Sequence, residues 1–133
     1  MPLSDVNFQP RGERRHPAGV VTVISSALSQ AGTQLEETLN RIDGLVRLII
    51  IQAGDLATDT TFNFDILNED GVAVFSKTGI SDNGTVKYVL SEGGADPPFP
   101  IVTAGRPWKI RWSWATSQTL AAGFFSAKIY YIT

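Results

Sequence analysis

Few residues in this chain have the type and spacing that chemistry needs. Six of its acids, Asp43, Glu69, Asp70, Asp82, Glu92 and Asp96, fall in segments that read as turns or loops. General acid–base catalysis needs two carboxylates held together with one of them desolvated. Turn carboxylates instead bond nearby backbone and stay solvated. Asn68, Glu69 and Asp70, with Asp65, could offer oxygens to a calcium ion, but their spacing fits no EF-hand loop and a hairpin turn already accounts for them. The single histidine, His16, lies near the N-terminus, and no Gly-x-Ser-x-Gly elbow occurs. There is no cysteine, hence no disulfide, thiolate metal site or thiol nucleophile. Neither a Walker pattern nor Gly-x-Gly-x-x-Gly is present to cradle phosphate. These residues predict a protein that is no enzyme and holds no cofactor and no metal.

Two other groups invite a binding role. Trp108, Trp112 and Trp114 share one parity of a single run, the arrangement of a flat platform for sugar rings. Ile110 falls in the same row, where a sugar platform would more often carry polar groups. The preferred reading is therefore core or subunit contact, because buried aromatics cover large areas. The second group is Arg11, Arg14 and Arg15, in a stretch with prolines on both sides. Arginine makes forked contacts to carboxylates and phosphates. Three charges are too few for strong nucleic-acid binding by counterion release, but they suffice to fix an arm onto an acidic protein surface.

The elements that must position these residues read as short strands. Val20–Ile24 is β-branched throughout and reads as a strand. Thr60–Leu67 alternates, with Phe62, Phe64 and Ile66 on one face and Thr61, Asn63 and Asp65 on the other. Asn68-Glu69-Asp70-Gly71 is a hairpin signal returning through Val72–Ser76, and Asp82-Asn83-Gly84 marks a second turn before Thr85–Leu90. A loop rich in Gly and Pro spans Glu92–Pro100, and strands follow at Pro107–Trp114 and Gly123–Thr133. Thr33–Ile51 is ambiguous. Leu35, Leu39, Ile42, Val46 and Ile49 recur at helical spacing, yet Gly44 and the β-branched run after it favour two strands with a turn or bulge at Asp43-Gly44.

Composition sets the frame. The chain has 133 residues, 43% hydrophobic and 18% charged, with a formal charge of −2. A chain of this size buries roughly two thirds of its unfolded surface, enough for one core. The longest unbroken aliphatic run, Leu48–Ile51, is far short of the roughly 20 residues of a membrane helix, so no membrane partner is expected. A mildly acidic chain is also a poor nucleic-acid binder. Residues 1–17 show no apolar core of a secretory signal and no hydrophobic period, and read as an extended arm made in a reducing cytosol. Residues 18–133 read as one all-β domain, an antiparallel β-sandwich of jelly-roll-like type.

Within that sandwich, Leu45–Ile51 is apolar on both parities except at Arg47. A strand open to water on one side alternates, so both faces of this one are expected to be covered. Two covers stand equal: another subunit, or the N-terminal segment. Arg47, Ile49 and Ile51 are the candidate subunit contacts.

The order of segments carries a resemblance. Ile42-Asp43-Gly44-Leu45-Val46, Phe62–Ile66 leading to Glu69-Asp70-Gly71, Lys87–Leu90, Pro100–Pro107 and the closing Ala127–Tyr131 resemble the small jelly-roll-like structural proteins of tailed-phage virions, over roughly Val20–Thr133. The resemblance is one of strands and turns and carries no catalytic residue. It implies a head decoration (cement) protein on the capsid exterior, a homotrimer bridging subunits of the major capsid protein, with an arm whose contacts would be Arg11, Arg14 and Arg15. The same pattern serves in tail and connector subunits. A carbohydrate-binding module using Trp108, Trp112 and Trp114 is the alternative of a different class.

Overall fold

A computed structural model describes residues 18–39, 42–103 and 106–133. The candidate arm contacts Arg11, Arg14 and Arg15 lie outside these residues.

Every regular element among the described residues is a strand: β1 (Ala18–Ile24), β2 (Leu28–Leu39), β3 (Asp43–Ala53), β4 (Thr61–Leu67), β5 (Ala73–Ser81), β6 (Gly84–Val89), β7 (Phe99–Val102), β8 (Trp108–Leu120) and β9 (Phe125–Ile132). They form two antiparallel sheets, ordered β1-β9-β3-β6 and β2-β8-β4-β5, with β7 paired to the first half of β3. The order has a simple origin. Pairing β1 with β9, β2 with β8, β3 with β6 and β4 with β5 makes one long hairpin, and rolling that hairpin distributes alternate pairs between two sheets. This is jelly-roll connectivity, which leaves few exposed edges for a small domain.

The core lies between the sheets. One side supplies Val23, Val46, Ile49, Ile51, Ile101, Phe125, Ala127 and Ile129; the other supplies Leu35, Phe62, Phe64, Ile66, Trp108, Ile110, Trp112 and Trp114. Alternation decides this for β4, β8 and β9, as the sequence predicts. The helical alternative for Thr33–Ile51 does not occur. Leu35 and Leu39 face inward on β2, while Val46 and Ile49 face inward on β3 in the opposite sheet.

Two local expectations need correction. Asp43 and Gly44 are the first residues of β3 and make no turn. Gly44 is needed because a Cβ there would strike the Ile132 carbonyl oxygen and the Tyr131 ring. We expect Gly44→Ala to cost about 1–3 kcal/mol by forcing β9 to shift; an unchanged denaturation midpoint would contradict this. Asp82-Asn83 is a turn as expected, with Asn83 at φ 52°, and it carries the chain from β5 in one sheet to β6 in the other. The Glu92–Pro100 loop is shorter than expected, because Phe99–Val102 pairs with β3 as β7, whose Pro100 is tolerated on a strand paired along one side only. By contrast, Asn68–Val72 is the hairpin the sequence announces. Its Asn68 N–H donates to the Val72 carbonyl at 2.9 Å, and Gly71 sits at φ 78°.

Candidate docking face

The bulge in β3 decides what the sandwich presents to its surroundings. Tyr130 pairs with Leu48 and Tyr131 with Val46, so Arg47 is one residue too many for its partner strand. Strict alternation puts Arg47, Ile49 and Ile51 on one face. The extra residue breaks that parity, leaving Val46 inside before the bulge and Ile49 and Ile51 inside after it, 0% and 1% exposed. Ile49 and Ile51 are therefore filled by this chain's own core and cannot be subunit contacts. Of the three expected contact residues only Arg47 is exposed.

β3 turns outward Leu45, Leu48 and Ile50, all half-buried, together with the exposed Asp43, Arg47 and Gln52. The pairing registers extend them into rows across the sheet. Val20, Tyr130, Leu48 and Val89 stand directly opposite one another on β1, β9, β3 and β6. Val20 and Val89 are 53% and 69% exposed. On one side lies the shorter row of Ile132, Leu45 and Pro100, where Leu45 and Ile132 line an open groove of about 650 Å³. On the other side, Thr22, Lys128, Ile50 and Lys87 form the next row. Val102 is half exposed near the foot of β7. An exposed apolar surface that continues from strand to strand is uncommon on a soluble monomer and marks an interaction site. Lys87, Lys128 and Arg47 surround it, and among the described residues no carboxylate pairs with any of the three.

The outer face of the opposite sheet has another character. Glu36, Arg111, Asp65 and Ser76 stand in one row across β2, β8, β4 and β5. Arg111 donates to Asp65 Oδ2 at 3.1 and 3.3 Å, the Ser76 hydroxyl also donates to Asp65, and Lys109 approaches Glu36 at 3.7 Å. These charges are consumed within the sheet, which explains why Asp65, on the outward parity, is 8% exposed. The cluster of Lys77, Asp96 and Tyr88 is likewise closed on itself. Lys77 pairs with Asp96 at 2.8 Å and sits over the Tyr88 ring, 5.2 Å from its centroid. Burial raises the Tyr88 phenol above its usual range, with Lys77 opposing and Asp96 adding to the shift. Glu36, Lys109 and Arg111 of the first cluster line one open surface groove, and Tyr88 of the second lines another. Among the described residues no three His, Asp or Glu side chains are placed to hold a metal ion.

The tryptophan row is fully accounted for by packing. Trp108, Trp112 and Trp114 are 7%, 0% and 5% exposed. Trp112 stacks on Phe125 with centroids 5.3 Å apart and planes at 7°, Trp114 stacks on the same ring at 5.8 Å, and Phe64 meets Trp112 edge-on. The Trp114 indole N–H donates to the Gly32 carbonyl at 2.9 Å. A sugar platform cannot be made from rings that face inward, and the row's parity with Ile110 is the signal that pointed there.

Strict alternation on β3 points to Arg47, Ile49 and Ile51, whereas the apolar residues facing outward are Leu48 and Ile50, with Val20, Tyr130 and Val89 in register beside Leu48. A signal was available at Val20–Ile24, where every residue is β-branched and four of the five are apolar. No protein-family model matches this chain, and no curated protein is similar to it.

Proposed function

We propose that this protein is a non-enzymatic structural subunit that works by assembly, in its sharpest form a head decoration protein of a tailed phage. It would sit on the capsid exterior as a homotrimer and bridge subunits of the major capsid protein. The observation that carries the assembly reading is the apolar row Val20–Tyr130–Leu48–Val89 on the outside of an otherwise well-packed sandwich. The phage and capsid part rests on the resemblance of Val20–Thr133 to virion jelly rolls. In physical terms, each copy adds a modest contact energy, and the copies of an oligomer engage together, so the energies multiply in effect.

Arg11, Arg14 and Arg15 are the proposed capsid contacts, because forked guanidinium groups suit an acidic protein surface. Binding to heads of the virus that encodes the protein tests this. Removing residues 1–17 should lower head occupancy while leaving the thermal unfolding of the sandwich unchanged, and occupancy equal to that of the full chain would contradict the arm's role. Native mass measurement addresses the tail or connector reading: a trimer agrees with decoration, whereas a ring of six or 12 copies overturns it.

A further inference from the structure

We infer that β1 is an open pairing edge, which takes the β1 of a second copy antiparallel to itself across a twofold axis at Thr22. The contact goes beyond the assembly reading above, because it uses the edge of the β1-β9-β3-β6 sheet and leaves the outer face free.

The two sheets end on five strands, and four of them carry a feature that discourages further pairing. β6 has Lys87 among its six residues, and β7 is four residues long and contains Pro100. β2 is broken by two register shifts and carries Glu36 and Glu37. The β5 ladder also has two shifts, with Lys77 on the strand and Gly79 at φ 67°. Bulges, charges and proline are the means by which an edge strand avoids a neighbour. β1 has none of them. Its ladder with β9 runs from Ala18 to Ile24 without a shift, and it holds no charge and no proline. Val20 and Ile24 are both more than half exposed.

The hydrogen-bonding groups on this edge fix how a partner must sit. The Ser25 N–H donates to the Phe125 carbonyl at 2.9 Å. Alternate residues of an antiparallel ladder face the partner strand, so Val23 and Val21 bond to β9. The N–H and C=O groups of Ile24, Thr22 and Val20 then point away from it. An antiparallel copy centred on Thr22 sets the two threonines opposite each other and Val20 of either copy opposite Ile24 of the other. Every one of these N–H and C=O groups gains a partner. The facing side chains are threonine pairs and aliphatic β-branched pairs, both favourable across strands.

Charge agrees with this occupant, because β1 brings none against β1. The chain's own N-terminal segment is the poorer occupant. Residues 8–14, which a turn at Arg15–Pro17 would fold back along β1, contain Pro10, Gly12 and three charged side chains. Proline offers no N–H to a ladder, and glycine weakens one. A twofold contact cannot build a trimer. It joins two trimers, or two single chains, side by side, with their apolar outer faces turned the same way.

Amide hydrogen exchange of the full chain, followed by NMR from dilute to concentrated protein, tests the pairing. The Val20, Thr22 and Ile24 amides should exchange fast in dilute solution and at least about tenfold more slowly when concentrated. Thr22→Pro removes an N–H that the sheet does not use, so the fold should hold and the slowing should disappear. Should that variant misfold, Thr22→Lys decides in its place, since it sets like charges opposite each other on the axis. Crosslinking gives a second readout in a chain without cysteine. In the paired state the Cα atoms at position 22 of the two copies lie about 5.5 Å apart, within disulfide reach. Those at Lys128, one strand further in on each side, lie about 14 Å apart. Under mild oxidation Thr22→Cys should therefore form a linked dimer at least about tenfold faster than Lys128→Cys. Amides that exchange at the dilute rate at every concentration overturn the inference, as do two thiols that crosslink equally. Amides that slow only on phage heads also overturn it and assign the edge to a capsid strand. Head occupancy, measured separately, tells this claim from the decoration reading. Heads occupied by a chain whose β1 never pairs sink the edge contact alone. A paired chain that never binds heads sinks decoration alone.

Discussion

Trp112→Ala should destabilise this protein by about 3–5 kcal/mol, the largest loss expected from any single side chain. Trp112 is completely buried, stacked on Phe125 and met edge-on by Phe64, so it joins β8 and β4 of one sheet to β9 of the other. Truncation removes transfer energy and leaves a cavity that strands held in two ladders cannot collapse to fill. A domain of this size has about 5–15 kcal/mol in all, so the variant should be marginal at room temperature. Trp112→Phe separates packing from hydrogen bonding. The Trp112 indole N–H has no acceptor among the described residues, and an unpaired buried donor is itself unfavourable. Phenylalanine removes that donor and keeps an aromatic face, so its cost should be well under half that of alanine. Denaturant unfolding measures both. A Trp112→Ala loss below about 1 kcal/mol would place this residue outside the core.

Leu48→Ser should have the opposite signature, with little effect on the fold and a large one on assembly. Leu48 stands at the centre of the row between Tyr130 and Val89 and is half-buried in the isolated chain. Central apolar residues dominate interface energetics, with truncation costs of about 2 kcal/mol or more, equivalent to roughly 30-fold in affinity. The dissociation constant of the oligomer should rise by at least that factor while the unfolding midpoint moves little. The same substitution at Ile49, one residue along, should instead damage the monomer, because Ile49 is fully inside. If Leu48→Ser leaves the dissociation constant unchanged, this face is no interface.

The contrast between Leu48 and Ile49 shows how far the sequence could be read. Alternation assigned β4 and β8 correctly, since each is apolar on one parity and largely polar or small on the other, and it assigned the first half of β9, where Ser126 and Lys128 separate Phe125, Ala127 and Ile129. That sufficed for the all-β sandwich and for the inward tryptophans. It failed on β3, where both parities are apolar and the pattern holds no information about facing. There the face is set by an extra residue at Arg47, and a bulge is a property of the pairing of two strands, invisible in either one alone. Gly44 read as a turn or bulge, yet it lies within β3, and glycine is needed there because the Ile132 carbonyl approaches from a strand nearly 90 residues away. The Asp82-Asn83 corner was legible as a turn and illegible as a crossing between sheets, because a turn's local chemistry is silent about the sheet its second strand joins. The docking face was half legible for the same reason. Its apolar excess on β3 was plain, while its membership waited on the register that sets Val20, Tyr130 and Val89 beside Leu48.

The absence of cysteine makes the central claim, assembly through this one sheet face, directly measurable. A single thiol can be placed on the face with Val89→Cys, or on the opposite sheet's outer surface with Thr38→Cys, both at exposed positions. The rate of maleimide modification is then followed from dilute to concentrated protein. The thiol at 89 should react as fast as the one at 38 in dilute solution and become strongly protected as the oligomer forms, while the thiol at 38 stays reactive throughout. An assembled protein in which both thiols react at the same rate would contradict the account.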